Sequence, residues 1–258
     1  MNLHNKIALI TGGASGLGRA SAEALVAKGA KVFLFDLNEE ACKSTVSALG
    51  ADNCAYAIAD VTDEASVNAG LDKAMETYGE LHIVLNSAGI GPPCKVLDRE
   101  GNPLALSKFK KIVDVNLNGT FNVLSKAAAR MAKQDAVNDD GNRGVIINVA
   151  SVAAFDGQIG QPAYGGSKAA IAGMTLPIAR ELAYHGIRIN CIAPGLFHTE
   201  LAMTLDEKVI EALGNTVEFP KRLGKPSEFA QLVVQMAEND YFNGEVVRLD
   251  GSIRMRAK

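Results

Sequence analysis

The chain has 258 residues, 48% of them hydrophobic and 21% charged, with a formal net charge of −3 and an isoelectric point near 5.9. That length supports one large core, and the charge balance argues against a general nucleic-acid or membrane-surface binder. No apolar run reaches the length of a bilayer, and a strand-like run already at Ile7 leaves no room for a signal or ordinary transit sequence. The expected setting is therefore internal and reducing: the cytoplasm, with the mitochondrial matrix as the alternative. Cys42, Cys54, Cys94 and Cys191 are scattered and read as free thiols, and His4, His82, His185 and His198 lack ligand spacing, so no metal is expected.

Ile7 to Ile10 form the first strand signal, and Thr11-Gly-Gly-Ala-Ser-Gly-Leu-Gly18 follows at once, then a helical pattern from Arg19 to Lys28 ended by Gly29. Strands at 31–35, 54–59 and 81–85 alternate with helices around 39–49 and 63–78. A polar loop with Pro92, Pro93 and Pro103 leads into a helix near 107–133, and a long Asn, Asp and Gly-rich loop spans 135–144. Beyond it come a strand at 145–150, a helix from about 162 to 184, a strand at 187–193, a helix near 227–238 and a last strand from Glu245 to Leu249. This alternation, with apolar strands throughout, predicts a Rossmann-type α/β fold: a doubly wound, seven-stranded parallel sheet with helices on both faces, in one domain over 1–258. The segment 196–226, with a helical middle flanked by Pro220 and Pro226, reads as a substrate lid.

The glycine cluster fits a dinucleotide. Gly12, Gly16 and Gly18, with Ser15 and Leu17 between them, let the backbone turn tightly against a pyrophosphate, and the helix that follows offers its unpaired N–H groups to the negative charge. Asp36, at the end of the second strand, accepts hydrogen bonds from an adenosine ribose and repels a 2′-phosphate, and residues 12–17 hold no lysine or arginine. The cofactor expected is NAD rather than NADP. Asp60-Val61 and Asn86-Ser-Ala-Gly89, with Ala88 and Gly89 at its end, are further strand ends on that edge, suited to an adenine and a ribose respectively.

Ser151 closes the apolar run from Gly144 to Ala150, while Tyr164 and Lys168 stand one helical turn apart at the start of a long helix. An ammonium beside a phenol favours the phenolate, and a bound cofactor cation favours it further. Lowering a phenol pKa from about 10 to about 7 takes roughly 4 kcal/mol. Tyr164 is thereby predicted to be an acid-base group usable near neutral pH, with Phe155 and Gln161 between it and Ser151 as candidate substrate contacts, joined from the lid by Leu196 and Leu201.

Together these motifs resemble the classical short-chain dehydrogenase/reductase family over nearly the whole chain. Thr11–Gly18 is similar to its cofactor glycine motif, Asn86-Ser-Ala-Gly89 to its Asn-Asn-Ala-Gly motif with Ser87 in place of the second Asn, and Asn116 to its active-site asparagine. Ser151, Tyr164 and Lys168 match its catalytic Ser and Tyr-x-x-x-Lys, and Pro194-Gly195 matches the pair before a cofactor-contacting loop, here carrying Phe197 and Thr199. The resemblance implies that Lys168 lowers the Tyr164 pKa and holds the nicotinamide ribose, and that Asn116 fixes a water linking Lys168 to solvent. Within the family, residues 145–161, 173–180, 193–197 and 243–255 resemble the members that oxidise L-3-hydroxyacyl-CoA to 3-ketoacyl-CoA in fatty-acid or branched-chain β-oxidation as homotetramers. An acyl-CoA substrate is the partner implied, with no nucleic acid and no membrane. The alternatives are an NAD-dependent hydroxysteroid or other secondary-alcohol dehydrogenase, and a non-catalytic dinucleotide-binding scaffold.

Overall fold

Every residue of β1 (Ile7–Thr11) is buried, as a strand covered by helices on both faces requires. β1 lies inside a seven-stranded sheet of order β3-β2-β1-β4-β5-β6-β7, in which β2 (Lys31–Asp36) and β4 (Ile83–Asn86) flank β1. β3 (Cys54–Ile58) forms one edge, and β5 (Gly144–Val149), β6 (Ile187–Pro194) and β7 (Val246–Leu249) complete the other side. All pairings are parallel, so the carboxyl ends of the strands share one edge. The order reverses between β1 and β4, and a crevice opens there in a Rossmann-type doubly wound fold. The computed structural model describes residues 1–199 and 206–257.

Two apolar clusters sandwich the sheet. On one face α1 (Gly16–Ala27) and α8 (Pro226–Glu238) bring Ala22, Leu25, Phe229 and Val233 onto Ile10, Leu34 and Ile147. On the other, α3 (Glu64–Tyr78), α5 (Gly119–Met131) and α6 (Pro162–Ala183) cover Leu9, Phe33 and Ile146 with residues such as Leu71, Val123 and Ile178. Alternate residues of each strand thus feed opposite cores, as a period of two dictates. α2 (Glu39–Leu49) is capped by Asn38, whose side chain accepts from the Ala41 N–H.

One predicted helix is divided. The stretch expected as a single helix near 107–133 consists of α4 (Leu106–Val113), a π-helical turn at Asp114–Asn118, and α5. The widened turn coincides with Asn116, and a Cβ at Gly119 would stand 2.6 Å from Val61 Cγ2, so this helix closes on the loop after β3 only through a glycine. The long 135–144 loop is tied down by Asn138 and Asn142, whose amides donate to Asp240 at 3.0 and 2.7 Å. In the segment read as a lid from the sequence, the helix described is α7 (Glu207–Gly214). Among the described residues no helix is long and apolar enough to cross a membrane.

A buried histidine makes the fold pH-sensitive. His82 Nδ1 accepts from the Ile7 N–H at 3.1 Å, and its Nε2 has no hydrogen-bond partner among the described residues, with Glu80 3.5 Å away. Burial, with a smaller contribution from Lys6, lowers its pKa from 6.5 to about 4. Between those values the unfolded chain binds the proton and the folded one does not. Stability is therefore complete above about pH 6.5 and falls as the pH drops towards 4, by at most about 3 kcal/mol. Urea unfolding at pH 7 and pH 4.5 reads this loss. His82→Gln, which keeps an acceptor for Ile7, should flatten the slope, and an unchanged slope would assign the effect elsewhere.

Candidate active site

At the carboxyl end of β1 the backbone makes a turn that only glycines fit. Gly12 and Gly16 have φ of +60° and +51°, and a Cβ on Gly12 would meet the Ala88 backbone at 3.1 Å. A Cβ on Gly18 would fall 2.2 Å from the Gly12 carbonyl oxygen. α1 starts from this turn with no side-chain cap bond from Ser15 and no acidic residue in its first turn, so its leading N–H groups are left for an anion. Leu17 packs back onto the core, and Thr199 lies 3.6 Å from where a Gly16 Cβ would stand, at the mouth of the turn.

Asp36 is aimed at the same place. Its Oδ2 accepts from the Ala14 N–H and its Oδ1 from the Asn38 N–H, both at 3.1 Å, which fixes the carboxylate beside the glycines. A pyrophosphate cradle with an oriented carboxylate at the neighbouring strand end fits a dinucleotide whose ribose is unphosphorylated. Asp60 is exposed and spends Oδ1 on the N–H and hydroxyl of Thr62, at 2.8 and 2.7 Å, while Val61 is buried against α5. Asn86 is 2% exposed and donates across the sheet to Asn148 Oδ1 at 2.9 Å, so its side chain braces the strand ends, and the Ala88-Gly89 backbone beyond it borders the turn. The Ala88 N–H donates to Thr11 Oγ1 at 3.0 Å.

Further along this edge stand the acid-base candidates. Ser151 follows β5 and caps a short 3₁₀ turn, its Oγ accepting from the Ala153 N–H at 3.1 Å. Tyr164 lies in the first turn of α6, and Lys168 one turn on is 5% exposed, its Nζ donating to the Val149 carbonyl at 2.7 Å and standing 5.9 Å from the centre of the Tyr164 ring. Burial lowers Lys168 to about 8, a value at which it is still mainly charged at pH 7. In the chain without a cofactor, Lys168 does not by itself draw Tyr164 down. Burial pushes the Tyr164 phenol above its ordinary value, opposed by hydrogen bonding with Ser151. The lysine ammonium donates to a carbonyl and stands 5.9 Å from the ring centre.

Asn116 is completely buried. Its Oδ1 accepts from the Ile90 N–H at 2.8 Å, and its Nδ2 donates to the Ile90 carbonyl and to Ser167 Oγ at 2.9 and 3.0 Å. With its amide spent in this way, Asn116 holds the chain after Gly89 against α6. Ser167 was not singled out in the sequence, yet its hydroxyl also donates to the Tyr164 carbonyl at 2.8 Å and so joins Asn116 to the tyrosine. Its signal was a small polar residue on the buried face of an otherwise apolar helix, next to Lys168. Gly91 is a second omission: a Cβ there would stand 3.1 Å from the Tyr164 ring.

Phe155 is about half exposed, and Gln161 precedes α6 and borders a cavity of about 590 Å³ together with Ala153, Ala154, Lys95, Gly166 and Ala169. Gln161 Oε1 is buried without a hydrogen-bond partner among the described residues. Pro194 ends β6 and Gly195 packs against Asp250, whose Cβ would be 2.8 Å from a Cβ there. Leu196 and Phe197 border a separate cavity of about 420 Å³ on the α8 face, and Phe197 stacks edge-on against Phe229 at 6.1 Å. Among the described residues neither cavity is lined by Ser151, Tyr164 or Lys168. Leu201 lies outside the described residues. Among the described residues no three His, Cys, Asp or Glu side chains gather as metal ligands.

Known proteins are similar to this chain over nearly its whole length. The family described as short chain dehydrogenase matches residues 6–210. The chain is 51% identical over 251 residues to 3-hydroxyacyl-CoA dehydrogenase type-2 of Bos taurus, covering 97% of this chain and 95% of the relative. It is 48% identical to the protein of that name in Drosophila melanogaster, covering 98% and 99%. The crystal structure of 3-hydroxyacyl-CoA dehydrogenase type-2 from Mycobacterium avium superposes with a TM-score of 0.93 at 36% identity, covering 100% of this chain and 98% of that one. A family match across most of the sequence, joined by relatives of about half identity over nearly its full length, places the chain in the short-chain dehydrogenase family, to which it belongs.

Proposed function

We propose that the chain interconverts L-3-hydroxyacyl-CoA and 3-ketoacyl-CoA with NAD, in fatty-acid or branched-chain β-oxidation. The reaction type is carried by one observation: Ser151, Tyr164 and Lys168 meet at the strand edge that also bears the glycine turn and Asp36. The substrate class rests on the similarity to the 3-hydroxyacyl-CoA dehydrogenases. It is supported by Gln161, whose unpartnered amide oxygen suits an N–H of a pantetheine arm.

The glycine turn and Asp36 would hold NAD, which would supply the hydride acceptor, or as NADH the donor, for C3 of the substrate. In the reducing direction Tyr164 Oη gives its proton to the oxygen at C3, and the reverse step returns it to the phenolate; Ser151 Oγ donates a hydrogen bond to the same oxygen, holding it in line and stabilising the charge that develops. Lys168 keeps a positive charge beside the phenolate once it forms, and burial strengthens that interaction. Asn116 and Ser167 hold the Tyr164 turn in place. The segment 196–226 covers the acyl chain as a lid.

A steady-state comparison of acetoacetyl-CoA, acetoacetate and a steroid ketone with NADH tests the reading. The CoA ester should have the highest kcat/KM, and loss of that preference would leave a general secondary-alcohol dehydrogenase. For the cofactor, Asp36→Ala should lower the NAD-to-NADP ratio of kcat/KM by at least about 10-fold, because a carboxylate close to a 2′-phosphate costs more than 1 kcal/mol even when partly screened. An unchanged ratio would remove Asp36 from ribose recognition.

A homotetramer is part of this proposal. The outer face of α6 carries Gly166, Ala169 and Gly173 with the exposed Leu176, a flat strip that permits close helix packing against a second copy. Sedimentation velocity reads the assembly mass, and a monomer at micromolar concentration would contradict it.

A further inference from the structure

Arg248 ties the loop that follows Ser151 to the sheet's edge strand. In β7 its Nε donates to Asp250 Oδ2 at 2.8 Å, and its two Nη atoms grip both oxygens of Asp156 at 3.3 and 2.6 Å. Nη2 also donates to the Ile253 carbonyl at 3.0 Å, and the guanidinium lies 5.4 Å from the centre of the Phe155 ring. The side chains of Arg248, Asp156 and Asp250 are only 22%, 16% and 8% exposed, so this is a sheltered fork rather than a loose surface pair. Arg248 holds the Asp156 carboxyl below its ordinary range.

What the fork holds is the chain leaving Ser151. Ser151, its 3₁₀ turn, Phe155 and Asp156 run without a break into the 157–161 loop that ends at Gln161 and Tyr164. The C-terminal segment grips the same loop, with the Ile159 N–H donating to the Ala257 carbonyl at 3.0 Å and Gln158 Nε2 to the Arg256 carbonyl at 3.1 Å. The turn after β7 also meets the opposite wall. The Gly195 N–H donates to the Leu249 carbonyl at 2.9 Å, and the Phe219 N–H to the Gly251 carbonyl at 3.2 Å. One turn of chain, 248–253, thus joins the Phe155–Gln161 loop to the loop after β6 and to the end of the lid segment.

We propose that Arg248 is a positioning residue: through Asp156 and Phe155 it sets the height of the 155–161 loop over the cleft and so the fit of the acyl group. The proposal rests on the reading above that this loop touches the substrate. Lysine cannot replace the fork, because a single ammonium neither spans both carboxylate oxygens nor stacks on the ring.

The test is steady-state kinetics with acetoacetyl-CoA and NADH on Arg248→Lys, Arg248→Met, Asp156→Asn and the double variant Arg248→Met/Asp156→Asn, beside Phe155→Ala and Gln161→Ala. Arg248→Lys and Arg248→Met should raise the KM for acetoacetyl-CoA about 10-fold, with kcat within about 3-fold and NADH affinity unchanged. Asp156→Asn should shift KM in the same direction, and the double variant should be no worse than Arg248→Met alone, since both remove one interaction. A brace with no part in substrate fit would lower Tm and the active fraction while leaving KM at its wild-type value, which overturns the proposal. Should Arg248→Met fail to fold, Arg248→Lys and Asp156→Asn give the same split. If Phe155→Ala and Gln161→Ala also leave KM unmoved, the substrate reading of the loop falls and takes the proposal with it. If they raise KM and the Arg248 variants do not, only the role of Arg248 falls.

Discussion

Tyr164→Phe should reduce kcat by about 10³-fold or more while NADH still binds with wild-type affinity. The substitution removes one oxygen and keeps the ring that lies against Gly91, so packing at the start of α6 is retained. Lys168 keeps its bond to the Val149 carbonyl, and Asn116 keeps Ile90 and Ser167, because none of those contacts uses the phenol oxygen. What is lost is the group that carries the proton. Ser151 cannot take over: its hydroxyl is a far weaker acid and base near neutrality, and its oxygen already accepts from the Ala153 N–H. Stopped-flow turnover with acetoacetyl-CoA, read beside a fluorescence titration with NADH, separates chemistry from cofactor binding. Turnover within about 3-fold of wild type would exclude Tyr164 as the acid-base group.

That site was legible because its parts are local. Tyr164 and Lys168 are one helical turn apart, Gly12 to Gly18 occupy a single turn, and Ser151 closes a strand whose buried apolar run marks it as part of a parallel sheet. The strands were equally readable, since a parallel sheet covered on both faces needs continuous apolar runs. The unread parts depend on partners far away in the chain. Asn86 faces Asn148, Asn116 meets Ser167, and Arg248 reaches Asp156, and no spacing rule connects such pairs. The π-helical turn was hidden for a similar reason, because a helix with one widened turn keeps nearly the same apolar pattern, and the need for Gly119 arises only where α5 meets Val61. Charge effects were the least legible. Spacing brought Lys168 close to Tyr164, but the direction of the tyrosine shift depends on how much water burial removes, and that is set by the whole cleft.

The second large effect belongs to the glycine turn. Gly18→Ala should weaken NADH binding by about 100-fold, equivalent to roughly 2.7 kcal/mol, while kcat at saturating NADH stays close to wild type. Helix propensity alone argues the other way, since Gly18 lies inside α1 and alanine there is favoured by about 1 kcal/mol. Geometry outweighs that gain. The added Cβ would fall 2.2 Å from the Gly12 carbonyl oxygen, 2.9 Å from its carbon and 3.1 Å from Gly13 Cα, all backbone atoms without a rotamer to yield. Relief requires the 12–18 turn to open, and Gly12 is held against the Ala88 backbone on its other side. Opening the turn moves the Ala14 N–H that fixes Asp36 and tilts the leading N–H groups of α1, so the pyrophosphate and ribose contacts weaken together. Among the described residues the catalytic cluster on β5 and α6 shares no hydrogen bond with the turn, which is why the loss should appear in cofactor affinity rather than in turnover. Isothermal titration with NADH measures it directly, and an affinity within about 3-fold of wild type would mean that the turn yields without strain and does not itself hold the dinucleotide.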